Sequence, residues 1–373
     1  MRLNNNILAF IELLRSGLWE TDVNLSLIDK IDYDEILHIA EQQTVIGLIV
    51  AGIELLQEKR PPQGVALSFA GMALQIEQRN CAMNEYVGKL VNQLYKEGIS
   101  PVLVKGQGIA QCYERPLWRS PGDIDFLIKD SDYWKTKSFF DGITDTTPHE
   151  TIKNVERRHL DYQIGPWIIE LHGTLHGNLS RRIDKTLDAI QNDLFSESQI
   201  RVWNNGEVNI NLPSPDNDVI FVFTHILQHF FNGGCGFRQL CDLSRLLWTY
   251  RETIDRELLF RRLSDMKIMT EWKAFGYLLV NTLGLPSEVM PFYDKAYHKK
   301  ADKILSYIIE VGNFGQNKDI SYQSMHPVII RKIITFWRQA KDNFKLASIF
   351  PIDSPRFLFS YILTGSKKVL NGD

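Results

Sequence analysis

The chain has 373 residues, of which 44 % are hydrophobic and 23 % are charged, and its formal net charge is −3. This composition is typical of a soluble globular protein and gives no overall attraction to nucleic acid. The four cysteines contain no Cys-x-x-Cys pair, which argues against a zinc ribbon or a disulfide scaffold. Free thiols and the lack of an apolar leader predict a cytoplasmic protein. No uncharged apolar run reaches the roughly 20 residues of a membrane span.

The first part of the chain, residues 1–97, is predicted to be a helical subdomain. Ile7, Phe10, Ile11 and Leu14 follow the helical period, and further helices are expected over residues 34–59 and 66–96. Pro61 and Pro62 interrupt the pattern. No catalytic residue types cluster here, so we expect this part to serve as a scaffold or as a wall of the substrate site.

An α/β core is predicted over residues 98–212, and it begins with a short pattern of strand, turn, helix, turn and strand. Residues 102–104 are a buried strand that ends at Lys105 and Gly106, and residues 107–113 suit about two helical turns. A turn at residues 120–122 leads into a second strand over residues 123–128. A helix over 133–140, a loop over 145–158, and strands over 164–171 and 208–212 complete the core.

The second strand begins with two acids, although Asp is disfavoured in strands and is rarely buried without a partner. Asp123 and Asp125 are two apart, so they share one face and lie about 6.6 Å apart along the strand. They can therefore converge on a hard divalent cation, which prefers carboxylates supplemented by substrate phosphates. Taken alone, the pair is a weak signal, and an Asx cap before a strand is the more common explanation.

These residues resemble the uncharacterised nucleotidyltransferase family of the polymerase-β-like superfamily, and the segments that carry the resemblance are Lys105-Gly106, Tyr113, Arg119 and Gly122-Asp123-Ile124-Asp125. The resemblance implies a small mixed sheet in which a Gly-Ser turn opens a helix towards a triphosphate. It also implies that Asp-x-Asp holds two Mg²⁺ ions, with Mn²⁺ as the other candidate metal. Gln107 stands where the family has Ser. The residues expected at the nucleotide or its phosphates are Lys105, Gly106, Gln107, Arg119, Gly122 and His172.

The superfamily also uses a third carboxylate on a later strand. Glu170 is the single acid in an apolar run that ends at Gly173, and the resemblance makes it the third metal ligand or the general base. His172 shares its face of the strand and could orient Glu170 or contact a phosphate. The expected catalytic and metal-binding residues are thus Asp123, Asp125 and Glu170. Further along the chain, His229 and residues 238–242 resemble the family's helical region, so the resemblance spans roughly residues 102–242.

Residues 213–373 are predicted to form a second helical subdomain, with helices over 219–231, 240–250, 255–267 and 270–283. His225 and His229 have the spacing of a zinc pair, but position 226 is Ile rather than the Glu of a metalloprotease. A position in a helix seam or in the nucleotide cleft is therefore favoured. The basic, aromatic tail after Pro327 could face a membrane surface or nucleic acid, although a packed helix with solvated charges is the more common outcome.

The sequence as a whole predicts an α+β fold, with a nucleotidyltransferase-type sheet between two helical subdomains. The predicted function is metal-dependent transfer of a nucleoside monophosphate from an NTP to an acceptor, with release of pyrophosphate. The acceptor could be a small molecule, a protein or RNA. Two alternatives stay open: an inactive nucleotide-binding or regulatory module, which Gln107 favours, and a glycosyltransferase that uses Asp-x-Asp.

Overall fold

The computed structural model describes residues 4–25, 30–144, 159–177, 179–195, 199–315, 334, 337 and 341–357. Its strands are β1 (Val102–Val104), β2 (Ile124–Leu127), β3 (His159–Ile164), β4 (Trp167–His172), β5 (Ile200–Asn205) and β6 (Val208–Pro213). The helices before the sheet are α1 (Asn5–Trp19), α2 (Tyr33–Gln42), α3 (Ile46–Glu54) and α4 (Gln63–Lys96). Within and after the sheet come α5 (Gly106–Ala110), α6 (Tyr133–Asp141), α7 (Arg181–Leu194), α8 (Pro215–Asn232), α9 (Phe237–Thr249), α10 (Arg256–Met266), α11 (Met269–Asn281) and α12 (His298–Val311).

One mixed sheet joins these strands in the order β3-β4-β2-β1-β6-β5. The neighbours β1 and β2 are antiparallel, whereas β2–β4 and β1–β6 are parallel pairs. Antiparallel hairpins form the two sides of the sheet, β3–β4 and β5–β6, and their turns use Gly165 and Gly206 at φ values of 54° and 64°. The expected α+β architecture, with a mixed sheet and flanking helices, is confirmed.

The two central strands are apolar because both faces of the sheet are covered. Every residue of β1 and β2 is buried. Successive side chains point to opposite faces, so Val102 and Val104 join one hydrophobic cluster while Leu103 joins another. The first cluster also contains residues of helices that precede and follow the sheet in the chain. For example, the rings of Phe10 and Phe237 lie 5.4 Å apart. The division into three domains stays a prediction.

Local backbone conformations explain where the sequence-based boundaries differ from the structure. The expected helix over 34–59 is two helices, α2 and α3, and Thr44 between them has a φ of 54°. The expected strand over 164–171 is the β3–β4 hairpin, because the chain turns at Gly165. The helix after Gly106 ends at Ala110. Strands β3 and β5 and helix α7 were not predicted, and the expected loop over 145–158 lies outside the described residues.

None of the described helices has the combination of length and apolar character that a membrane span requires. Most of the basic tail lies outside the described residues. Within its described part, Phe350 is buried and packs against the rings of Phe230 and Phe231, whereas Trp337 and Phe344 are exposed. The predicted contact of the tail with a membrane or nucleic acid stays a prediction.

Candidate active site

Strand pairing brings the three predicted carboxylates together. In β2, Asp125 lies between Val104 of the antiparallel neighbour β1 and Glu170 of the parallel neighbour β4. The face of Asp125 is opposite to that of Ile124 and Phe126, which are buried in the second hydrophobic cluster. The ligand oxygens of Asp123, Asp125 and Glu170 all lie within 4.8 Å of one another, although Glu170 is far from the aspartates in sequence. This spacing allows the three carboxylates to share a cation.

The carboxylates lie on the wall of a cavity of about 320 Å³ between the sheet and helices α8 and α9. Of the residues predicted at the nucleotide, five line this cavity: Lys105, Gly106, Arg119, Gly122 and His172. The opposite wall carries His225 and His229, for which the sequence favoured a helix seam or the nucleotide cleft, and Arg238, which had no predicted role. The cavity is therefore bordered by acids on the sheet and by nitrogen-bearing side chains on the helices.

Lys105 forms a direct ion pair with the site, since its Nζ lies 2.7 Å from Asp125 Oδ1. Its backbone has φ 58° and ψ −149°, a conformation that is strained for any residue with a side chain. Burial alone would lower the pKa of Lys105, but the charges of Asp125, Glu170 and Asp123 raise it above its ordinary value. A charged ammonium is thus held against the carboxylates by a strained turn.

His172 is the second cation beside Asp125. Its Nε2 lies 2.8 Å from Asp125 Oδ1 and 3.3 Å from Glu170 Oε2. Burial opposes its charge, but the hydrogen bonds to these two carboxylates raise the pKa of His172 to about 9. The pKa of Asp125 is lowered, because Lys105 and His172 together outweigh the effect of burial. Asp125 is therefore ionised and already paired in the metal-free protein.

Glu170 has the opposite environment. Burial raises its pKa to about 7, and the nearby charges of Asp125 and Asp123 add to this effect, although the hydrogen bond with His172 works against it. Burial is the main cause of this shift, and the repulsion from Asp125 and Asp123 is a smaller contribution of the same sign. A bound divalent cation would relieve this repulsion.

Arg119 lines the cavity, but its guanidinium is already engaged. Its Nε and Nη2 donate to the two carboxylate oxygens of Asp242 over 2.7 and 2.8 Å. Tyr113 donates to Asp242 Oδ1 over 2.6 Å. Two residues that carry the family resemblance therefore fasten the chain before β2 to helix α9. A contact of Arg119 with phosphate stays a prediction.

Gln107 does not reach the cavity with its side chain, contrary to the expected phosphate contact. Its Nε2 donates to Asn80 Oδ1 over 2.7 Å and contacts Met83 Sδ at 2.9 Å, so the side chain is buried against α4. Only its backbone remains available to a nucleotide. Gly106 has a φ of 45°, and a Cβ there would lie 3.4 Å from the carbonyl oxygen of Asp123. Glycine at 106 thus lets the turn pass close to the start of β2.

Helix α9 supplies a cavity residue, Arg238, for which the sequence predicted no role. Arg238, in the first turn of α9, donates to the carbonyl oxygens of Ser120 and Pro121 over 3.4 and 3.3 Å. Burial and then the charge of Arg119 lower its pKa from the ordinary value, so an anion beside Arg238 would be favoured. The only available signal was the family likeness of the segment around Arg238, which gave no role to this side chain.

His225 and His229 lie side by side on α8, and their Nε2 atoms are 2.9 Å apart. Burial lowers the pKa of His225 well below its ordinary value and that of His229 to about 4, so both rings are neutral near pH 7. Among the described residues, no third metal ligand joins this pair. The position in the cleft agrees with the interpretation that the sequence favoured over a zinc pair.

A mixed sheet that presents strand-borne carboxylates to a cavity below flanking helices defines an α+β protein of the nucleotidyltransferase type. The model of the family described as uncharacterised nucleotidyltransferase matches residues 29–283. The chain belongs to this family. No curated protein and no solved structure matches the chain. The match includes the cavity, both aspartates, Glu170 and helices α8 and α9.

Proposed function

We propose that the protein transfers a nucleoside monophosphate from an NTP to an acceptor and releases pyrophosphate. One observation carries the proposal: three carboxylates of a nucleotidyltransferase family member converge within 4.8 Å on the wall of a cavity. In this reaction a bond forms between the acceptor atom and the α-phosphorus. The bond from the α-phosphorus to the bridging oxygen breaks, and pyrophosphate leaves with that oxygen.

The residues present fit Mg²⁺. Asp123, Asp125 and Glu170 offer only carboxylate oxygens, which are the ligands of hard cations, and these oxygens lie within 4.8 Å of one another. These three residues would hold the metal, and Mn²⁺ suits the same donor set. When bound, the metal would stabilise negative charge on the attacking and leaving oxygens.

The protein's own cations have distinct places in this proposal. Lys105 is paired with Asp125, and it is next to the Gly106 turn, which would face the phosphates if the resemblance holds at this turn. We infer that Lys105 exchanges its carboxylate partner for the triphosphate when the metal and nucleotide bind. Arg238, on the opposite wall, would bind the same anion from the helical side. Glu170 would either complete the metal site or, if uncoordinated with its pKa of about 7, act as the base for the proton of the acceptor.

A second candidate function is a nucleotide-binding or regulatory module without turnover. Two observations favour it: Asp125 is already neutralised by Lys105 and His172, and Gln107 turns its side chain away from the cavity. Membership of a nucleotidyltransferase family, together with the three converging acids, favours transfer over this candidate. No feature of the site favours the glycosyltransferase alternative.

The test is transfer of label from NTPs labelled at the α-phosphate, in the presence of Mg²⁺ and of acceptors from three classes: small molecules, proteins and RNA. We expect covalent labelling of one class and release of pyrophosphate, both lost in Asp125→Asn. Nucleotide binding without transfer to any class would support the regulatory module. Equal transfer by the wild type and Asp125→Asn would refute the assigned site.

A further inference from the structure

A second group of metal-ligand side chains lies at the edge of the sheet, on the hairpin formed by β3 and β4. His159 of β3 is paired with His172 of β4, and Asp161 is paired with Glu170. Residues that are directly paired in antiparallel strands project to the same face with their Cβ atoms about 4.5–5.5 Å apart. The hairpin therefore presents two imidazoles and two carboxylates in one compact square.

The ligand atoms of three of these residues lie close enough together to share one metal ion. His172 Nε2 lies 3.3 Å and His159 Nε2 lies 3.7 Å from the same Glu170 Oε2, and all three atoms are within 4.8 Å of one another. Tetrahedral bonds of about 2.1 Å place neighbouring ligands about 3.4 Å apart. Asp161 Oδ1, 3.3 Å from His159 Nε2, is a further donor on the same hairpin.

We propose that His159, Glu170 and His172 form a second cation site, which takes a divalent transition-metal ion such as Zn²⁺ rather than Mg²⁺. Two imidazole nitrogens with one carboxylate oxygen are suited to Zn²⁺ and its neighbours, whereas Mg²⁺ prefers oxygen ligands only. The site is distinct from the carboxylate site of the proposed function, because it uses His159 and does not need Asp123. The two sites share Glu170.

The shared residues give the site a consequence for the cavity. In the metal-free protein, His172 Nε2 is hydrogen-bonded to Asp125 Oδ1. An ion bound through this nitrogen replaces its proton, so Asp125 keeps Lys105 as a partner but loses His172. Metal binding at the hairpin therefore removes one of the two cationic side chains that are paired with Asp125.

The experiment is a titration of the untagged, metal-free full chain with Co²⁺, which reports four-coordinate nitrogen and oxygen ligation through its visible absorption. Zn²⁺ is then added as a competitor. The variant is His159→Ala, and His159→Gln serves as a second replacement. His38→Ala is the matched control, because His38 is an exposed histidine on the distant helix α2. Asp123→Asn separates this site from the carboxylate site.

We expect the wild type and His38→Ala to bind one equivalent of Co²⁺ with a visible band that Zn²⁺ abolishes. Both His159 variants should bind at least about tenfold more weakly, while Asp123→Asn keeps the band. A wild type without a band would overturn the proposal, and so would a band that persists in the His159 variants or disappears in Asp123→Asn. None of these outcomes depends on nucleotide, so a failure of the proposed transfer reaction is measured separately.

Discussion

Two acidic sites border the same cavity, one with a single carboxylate and one with three, and they differ in how their charge is balanced. Asp242 accepts hydrogen bonds from the guanidinium of Arg119 and the hydroxyl of Tyr113, so one cation matches one carboxylate. The second group brings Asp123, Asp125 and Glu170 together, and burial, with a smaller contribution from the charges of the two aspartates, raises the pKa of Glu170 to about 7. The comparison indicates that the matched pair holds the fold together, whereas the unmatched group is arranged for a ligand.

The substitution Asp242→Asn is the strongest test of the claim that the pair of Arg119 and Asp242 stabilises the fold. The substitution is nearly isosteric but leaves the buried charge of Arg119 without its carboxylate. We expect the free energy of unfolding to fall by about 3–5 kcal/mol, as measured by urea denaturation. Glu85→Gln is the control, because Glu85 forms an exposed pair with Lys89 on α4 and should change little. Wild-type stability in Asp242→Asn would break the distinction between the two groups.

Glu271, in the first turn of α11, is a fully buried acid away from the cavity, and it serves as a reference for a buried carboxylate outside both sites. Burial, followed by the nearby charge of Asp353, raises its pKa well above the ordinary value of 4.5. Above its ordinary pKa, Glu271 therefore holds a proton in the folded protein but not in the unfolded chain. The free energy of unfolding consequently falls as the pH rises. Glu271→Gln should be more stable than the wild type at pH 8 by about 1–3 kcal/mol.

Thermal unfolding between pH 5 and pH 8 checks this expectation. The melting temperature of Glu271→Gln should depend less on pH than that of the wild type. Glu252→Gln, at an exposed position, should follow the wild type throughout. A Glu271→Gln variant that loses stability at pH 8 would show that the carboxylate is ionised and held by a partner.

The smallest expected effect concerns the turn that brings Lys105 to Asp125. Gly106→Ala must place a side chain at a φ of 45°, so we expect a loss of roughly 1 kcal/mol in unfolding free energy. The matched variant Gly71→Ala lies in helix α4, where a Cβ would meet nothing within 4 Å. It should gain up to about 1 kcal/mol instead. Effects of the same sign at both positions, measured by thermal unfolding, would contradict the role assigned to the turn.

The sequence was sufficient for features that depend on local pattern and was insufficient for those that depend on pairing between distant segments. The apolar run of β1, the Gly106 turn and the two aspartates of β2 follow from periodicity and turn chemistry. The convergence of Glu170 on Asp125 was expected only through the family resemblance, because strand register is not visible in one sequence.

The pairing of cations with acids could not be predicted from the sequence. Nothing near Arg119 in the chain indicated that its guanidinium donates hydrogen bonds to Asp242, more than a hundred residues later. For the same reason the positions of Arg238 and His159 at the cavity were missed. Strand β3 was missed because its alternating pattern covers only six residues and lies next to a polar segment.

The most direct test of the central claim is the thermal shift that Mg²⁺ with each of the four common NTPs gives to the wild type and to Asp123→Asn. Asp123 is the better choice for substitution, because Asp125 also binds Lys105 and His172. We predict a shift in the wild type with at least one NTP, about 2.7 kcal/mol of stabilisation at a ligand concentration 100 times Kd. Asp123→Asn should show an unchanged or higher melting temperature without metal, and no shift with Mg²⁺ and NTP. A wild type that no NTP stabilises, or an Asp123→Asn variant that shifts fully, would contradict the account.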